Sequence, residues 1–326
     1  MLKLEILKLL QQTDGFVSGQ KICEELGVSR TAVWKGIQQL TQDGCQIEAV
    51  RNKGYCLIQE PDLLIEEVLS QYLGTAWAGR QVRILDEVDS TNDEAKRLAE
   101  AGAVHGTLIL AKKQTAGKGR RGRSFESREG DGLFMSLLIR ADLAPERASM
   151  LTLVMGMAVT KALEELTGLH PQIKWPNDVV ISGKKICGIL TEMSMQMDCI
   201  NYLVLGVGVN IHNRDFSDEL SDRATSVHIE QGKEISRGHL AAEILKWFEY
   251  YYDKYLPTQD LALLVDTYNT WLINRNRQVT VMAAKGAYEG LALGINTQGE
   301  LMVQTREEVK YVMSGEVSLR GVCGYV

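Results

Sequence analysis

From Leu2 to about Gln12 the apolar residues Leu2, Ile6, Leu9 and Leu10 recur at helical spacing, which predicts a helix with one apolar face. Ser18 is placed to cap a second helix over Gly19–Leu26, which Gly27 breaks. Ser29 can cap a third over Arg30–Asp43, stopped by Gly44. Helix, glycine-containing turn, helix is a helix-turn-helix pattern. In the third helix Val33, Ile37 and Leu40 fall on one face, and Thr31, Trp34, Lys35 and Gln38 on the opposite one, with Arg30 at its start. A face of cations and hydrogen-bonding groups suits the major groove of DNA. Gln46–Val50 and Tyr55–Ile58 then alternate as strands about the basic turn Arg51-Asn52-Lys53-Gly54, a wing whose Arg51 and Lys53 join the DNA-binding set. The alternative for residues 1–60 is a helical interaction domain without DNA.

Pro61-Asp62 marks a boundary, and a linker helix from about Asp62 to Tyr72 is predicted within 61–79. From 80 to 272 strands and helices mix. The strands are Val82–Glu87, Thr107–Lys112, Leu133–Arg140, Ile173–Trp175, Val179–Ile181, Lys185–Met193 and Tyr202–Ile211. The helices are Asn92–Ala101, Pro145–Thr167, Gly238–Tyr255 and Leu261–Leu272. Short loops between neighbouring strands favour a mixed sheet covered by helices over a strict βαβ succession. Residues 273–326 change to short strands with Gly and Asn-Thr-Gln-Gly turns, namely Gln278–Ala283, Tyr288–Ile295, Leu301–Thr305, Glu308–Met313 and Gly315–Leu319. They read as a small β-barrel, so the fold class is α+β multidomain.

The 326 residues carry a net charge of −6, so any contact with nucleic acid needs a local basic patch. One exists: Lys112–Arg128 holds seven cations against Glu126 alone. The six cysteines form no C-x-x-C pair and have no zinc-finger spacing. They read as mostly buried thiols in a reducing cytoplasm. The N-terminal helix has too short an apolar core for a signal peptide, and no run of about 18 apolar residues would cross a membrane.

The densest chemistry is Gln114-Thr115-Ala116-Gly117-Lys118-Gly119-Arg120-Arg121-Gly122-Arg123, three glycines and four cations in ten residues. Such cations repel one another unless an anion sits among them, and the glycines let backbone approach it. Gly117-x-Gly119-x-x-Gly122 has the spacing of a dinucleotide fingerprint, but loop-like sequence follows where a helix must start. Gly74 to Gly79 has Walker spacing but lacks the Lys-Ser/Thr that must follow. Lys174-Trp175-Pro176-Asn177-Asp178 puts Asn and Asp at a strand end, where Asp178 is a candidate Mg²⁺ ligand and a plain turn is the alternative. Lys185 leads an apolar strand with Gly188 inside it, placed to reach a carboxylate or phosphate, or to be an ordinary edge lysine. Gly206 and Gly208 strip one strand face of Cβ atoms and make a flat surface. Asp89-Ser90-Thr91-Asn92 reads, taken alone, as a helix cap.

These motifs, in this order and with Gly315-Glu-Val-Ser-Leu-Arg320, resemble the bifunctional biotin–protein ligase and biotin-operon repressor family over essentially the whole chain. The resemblance implies a winged helix-turn-helix, a central catalytic domain of the class II synthetase/biotin ligase type, and a C-terminal SH3-like barrel. It implies that biotin and ATP give biotinyl-5′-adenylate and pyrophosphate, and that a lysine of the biotin carboxyl carrier protein of acetyl-CoA carboxylase, or of a related enzyme, then takes the biotin. By resemblance Ser90, Thr91 and Gln114 hold the ureido ring, with Asn92, Gly188 and Gly206 in the same biotin site. Gly117 and Lys118 present backbone N–H groups to the carboxylate. Arg120 and Lys185 stand beside the reacting carboxylate and α-phosphate. Arg120, Arg123, Asn177, Lys185, Asn210 and Arg320 meet ATP or the adenylate, and Phe125 stacks on adenine where the familiar member has Trp. Lys118 stands where the family often has Arg. The repressor half implies a homodimer on a two-fold operator. Two other readings are a ligand-sensing transcription factor without ligase activity and a lipoate-type ligase.

Overall fold

The computed structural model describes residues 2–42, 45–59, 62–196, 199–283, 286–313, 318–321 and 325–326. The chain divides into two compact units, Met1–Leu63 and Leu64–Val326.

The first unit holds α1 (Leu2–Gln11), α2 (Gly19–Leu26), α3 (Arg30–Gln42), β1 (Gln46–Val50) and β2 (Gly54–Gln59). Ser18 Oγ accepts from Lys21 N at 3.1 Å, and Ser29 Oγ accepts from Ala32 N at 3.2 Å, so both predicted caps form. The apolar faces of the helices meet in one core containing Ile6, Leu10, Ile22, Val33, Ile37 and Leu40. The predicted stop at Gly44 lies outside the described residues. At the wing, Val17 and Tyr55 exchange backbone bonds of 2.8 and 2.9 Å. A side chain at Gly54 (φ 108°) would run into the Val17 carbonyl, so the turn requires glycine there.

The second unit begins with α4 (Glu66–Tyr72), β3 (Val82–Val88), α5 (Thr91–Glu100) and β4 (Leu108–Gln114). A short 3₁₀ turn at Arg120–Gly122 precedes β5 (Gly132–Ile139), α6 (Pro145–Ala148), α7 (Leu151–Thr167), β6 (Gln172–Lys174) and β7 (Asp178–Ile181). Then come β8 (Lys184–Gln196), β9 (Cys199–Asn210), α8 (Val227–Gln231), α9 (Arg237–Tyr255) and α10 (Val265–Trp271). These strands form a sheet in the order β3-β4-β5-β9-β8-β7-β6, with β3 parallel to β4 and the remaining pairs antiparallel, the mixed sheet expected. α7 and α9 bring Val154, Ala158, Leu240 and Phe248 into the same core as Leu133, Leu205 and Val209 of the sheet.

The differences from the sequence reading have local causes. The segment before α4 is extended because Leu64 is drawn into the core and Ile65 takes β backbone angles. α4 itself packs on α9, with Tyr72 stacked on His239 at 4.1 Å. The helix predicted over Pro145–Thr167 is split after Ala148, and α8 was not anticipated. Strands β10 (Arg277–Ala283), β11 (Gly286–Ile295), β12 (Leu301–Gln304), β13 (Val309–Val312) and β14 (Ser318–Gly321) form an antiparallel sheet in the order β13-β12-β11-β10-β14. Its Val279, Val281, Ala292, Leu301 and Val303 belong to the core that also contains the central sheet. Among the described residues no helix is long and apolar enough to cross a membrane. Cys45 and Cys187 are buried as expected, but Cys199 at the start of β9 is exposed.

Candidate active site

The floor of the site follows from strand register. β8 and β9 pair with Gly188 opposite Gly208 and Leu190 opposite Gly206, so three positions without Cβ lie together at mid-sheet. Other side chains come close in that space. A Cβ at Gly208 would lie 2.7 Å from the Phe125 ring, one at Gly188 would lie 2.8 Å from Lys185 Nζ, and one at Gly206 would collide with Asn92 Oδ1.

One wall is the start of α5. Ser90 is the N-cap residue by backbone, but its side chain makes no capping bond. Thr91 and Asn92 are buried and turn inward, which corrects the cap reading. Gln114 Oε1 accepts from Thr91 N at 2.8 Å and from Thr91 Oγ1 at 3.1 Å, and Gln114 Nε2 donates to Ser127 Oγ at 2.8 Å. Ser136 Oγ donates to Thr91 Oγ1 at 2.8 Å and to Asn92 Oδ1 at 2.6 Å, while Asn92 Nδ2 donates to Glu192 Oε2 at 2.8 Å. Asp89 serves elsewhere. Its side-chain bond to Arg97 holds its carboxyl down at about 2.

The basic loop forms the other wall. Gly119 N donates to Arg123 O at 2.7 Å and Phe125 N to Gly117 O at 2.9 Å, a small bridge in which the Lys118 N–H takes no part. Lys118 Nζ pairs with Asp93 at 2.6 Å. Arg120 is partly buried and donates from Nη1 to Asn177 Oδ1 at 3.0 Å, while Asn177 Nδ2 holds Ile189 O at 3.1 Å. Burial lowers the Arg120 pKa from its ordinary value, against the opposing pull of Asp178. Lys185 Nζ lies 2.6 Å from Asp178 Oδ1. Ser90, Gln114, Lys118, Arg120, Asn177 and Lys185 therefore line one pocket with the glycine floor. It gathers polar groups at one end and cations at the other, a shape for a neutral polar ring bearing an anionic arm.

Sequence comparison identifies this assembly. Residues 85–210 match the Biotin/lipoate A/B protein ligase family, residues 3–56 an HTH domain, and residues 276–320 the Biotin protein ligase C terminal domain. The bifunctional ligase/repressor BirA of Bacillus subtilis is 39% identical over 321 residues, covering 98% of this chain and 98% of that protein. The chain belongs to the bifunctional biotin–protein ligase and repressor family. The BirA of Escherichia coli is 30% identical over 97% of both chains. The structure of a biotin protein ligase from Aquifex aeolicus in complex with biotin and ATP superposes with a TM-score of 0.66 at 33% identity, over 74% of this chain and 99% of that one.

The remaining predicted site residues of this ligase–repressor are placed as follows. Asn210 is buried and donates Nδ2 to Thr225 O at 3.1 Å, a structural bond at the end of β9 outside the pocket lining. Arg123 is exposed and outside the lining. Gly117 also stands outside it, where a Cβ would press on Phe125 O and Ser127 Oγ. The Phe125 ring lies over Gly188 and Gly208, of which Gly188 is assigned by resemblance to biotin, with its edge toward Phe134 at 6.3 Å. Arg320 sits in β14 opposite Thr280, and its side chain lies outside the described residues, as does Gly315. Asp178, the candidate Mg²⁺ ligand, has both carboxylate oxygens engaged by protein groups. Its Oδ1 is paired with Lys185 and its Oδ2 accepts from the Tyr325 hydroxyl. No cluster of three His, Cys, Asp or Glu among the described residues could hold a metal ion. Sequence reasoning missed Ser136, Glu192, Ser127 and Tyr325, none of which belongs to the motifs it singled out.

In the first unit Arg30, Thr31, Trp34, Lys35, Gln38, Arg51 and Lys53 are all exposed. Trp34 is 53% exposed, a large aromatic on the polar face of α3. Arg30 Nη2 donates to Gln20 Oε1 at 2.8 Å, and Lys53 Nζ lies 5.7 Å from the Phe16 ring. Ser18, Gly19, Arg30, Arg51 and Asn52 line one groove between the helices and the wing.

Proposed function

We propose that the pocket takes biotin against Thr91, Gln114 and the glycine floor, and ATP beside Arg120, Asn177 and Lys185. A carboxylate oxygen of biotin attacks the α-phosphorus of ATP. The oxygen–phosphorus bond forms as the bond to the β-phosphate oxygen breaks, and pyrophosphate leaves. Two anions must meet, so the barrier is largely Coulombic. Arg120 and Lys185 supply positive charge where negative charge accumulates, and the Lys118 N–H is placed for the carboxylate. In the second step a neutral lysine amine of a biotin carboxyl carrier protein attacks the acyl carbon. AMP leaves with the bonding pair, and the amine loses one proton. Neither step uses a nucleophilic side chain of the enzyme.

The observation that carries this reading is the convergence of Arg120 and Lys185 on a pocket whose opposite wall is the Thr91–Gln114–Ser127 chain. Single-turnover release of pyrophosphate with biotin and ATP tests it. The expected result is one pyrophosphate per site, abolished in Lys185→Ala. Turnover with lipoate but not biotin would move the reading to lipoate chemistry, and no release would leave a sensor.

The exposed polar face of α3 supports the second activity, binding of a two-fold operator by a homodimer in the cytoplasm, with biotinyl-adenylate as the corepressor that orders residues 114–128. An operator footprint requiring both biotin and ATP is expected, and sedimentation with and without the two ligands checks the linked dimerisation.

A further inference from the structure

Asp178 joins elements that are far apart in sequence. Its Oδ1 meets Lys185 Nζ of β8 at 2.6 Å, and its Oδ2 accepts the Tyr325 hydroxyl at 2.5 Å across 147 residues of chain. Lys174 Nζ at the end of β6 stands 3.2 Å from the centroid of the Tyr325 ring. Burial works against ionisation of Asp178, but Lys185, the Tyr325 hydroxyl and Lys174 together outweigh it and hold the carboxyl below its usual range. Burial also pushes the Tyr325 pKa up, with the Asp178 charge adding to it, so the phenol keeps the proton it donates.

We propose that Tyr325 is a positioning residue for adenylate formation, acting through Asp178 on Lys185. The inference rests on the reading that Lys185 meets the carboxylate and α-phosphate. A lysine side chain is flexible, and its ammonium stays over Gly188 only while something fixes it there. Asp178 does so only if its own carboxylate cannot rotate, and the Tyr325 hydroxyl on Oδ2 fixes that rotation. The Asp178–Lys185 contact uses one ammonium donor, which leaves the other two to meet an arriving anion. The Tyr325 ring meanwhile takes Lys174 by cation–π attraction, which keeps a second ammonium from displacing Lys185. The charged and titratable groups facing Asp178 are Lys185 and Cys187 from β8, Lys174 from β6, Arg120 from the basic loop, and Tyr325. Arg123 and Arg223 face Tyr325.

The test uses full-length Tyr325→Phe, which keeps the ring on Lys174 and removes only the hydroxyl. Single-turnover pyrophosphate release with biotin and ATP is measured across pH. The rate should fall about tenfold, as for loss of a hydrogen bond to a charged group. The KM for biotin should stay unchanged, and the acid limb should move to higher pH because Asp178 loses a donor to its charged form. In an Asp178→Ala background the Tyr325→Phe change should add nothing. A wild-type rate and pH profile for Tyr325→Phe, or an undiminished tenfold loss in the Asp178→Ala background, would overturn the proposal. Lys185→Ala separates the two readings. If it retains full rate, the assignment of Lys185 falls. If it is inactive while Tyr325→Phe behaves as wild type, only the role of Tyr325 falls.

Discussion

At Gly206 a methyl group would run into Asn92 Oδ1, an atom already bound by Ser136, whereas at Gly208 it would meet the Phe125 ring, the side chain of a surface loop. The two glycines belong to one strand but answer to different neighbours. Gly206→Ala should therefore lower the unfolding free energy by about 1–3 kcal/mol, because Asn92 has no slack to give. Gly208→Ala should leave stability near that of the parent and weaken ligand retention instead. Denaturant midpoints and adenylate off-rates of both variants check the contrast. Asp178 supplies a pH prediction. Its folded-state pKa lies below the ordinary carboxylate value, so its stabilisation is complete above about pH 4 and is lost as pH falls through the folded value. Asp178→Asn should destabilise by about 2 kcal/mol at neutral pH, less than a fully buried pair would lose, and the gap should narrow in acid. Guanidinium unfolding at neutral and acid pH measures both. The sequence showed Asp178 as a carboxylate at a strand end, but it could not show that the β7–β8 hairpin folds Lys185 back onto it, or that Tyr325 arrives from the far end of the chain.

Among the elements, α3 and the basic loop were the most legible, because each carries its signal in consecutive residues. Val33, Ile37 and Leu40 are buried, and Thr31, Trp34, Lys35 and Gln38 are exposed, as helical periodicity requires. Lys35→Ala should weaken operator binding, reduce the slope of log K against log salt by about one, and leave biotinylation unchanged. Equal loss of both activities would contradict the assignment of α3 to DNA. In the loop, Arg120→Gly removes the bond to Asn177 and half of the cationic pair, and should release biotinyl-adenylate early. Pulse-chase retention of the adenylate reads this directly. The Asn210 bond to the Thr225 backbone was not legible, because a polar residue ending a glycine strand looks the same in sequence whichever neighbour it meets.

On the scale of the whole molecule, the two units have separate cores, one built around Ile6, Ile22 and Leu40, the other starting at Leu64. Residues 64–326 alone should then fold and form adenylate at close to the parent rate while losing operator binding. A melting curve and a pyrophosphate assay on that fragment check it, and failure to fold would show that the first unit supports the second. The composition change near residue 273 marked the start of the last sheet, but not that its apolar residues merge with the central core, since core continuity depends on packing between distant strands.

The floor and the roof of the pocket differ in kind. Gly188, Gly206 and Gly208 sit in long, doubly paired strands over a buried core, while Arg120 to Ser124 form a largely exposed turn whose ties include a few backbone bonds, the Arg120–Asn177 bond and the neighbouring Lys118–Asp93 pair. Cooperative opening of such a turn takes far less free energy than global unfolding. Warming should thus loosen the roof many degrees before the floor. Ligand residence times should shorten steeply at temperatures where circular dichroism still reports an intact protein, and the site would act as a thermal fuse set below the melting point of its own scaffold.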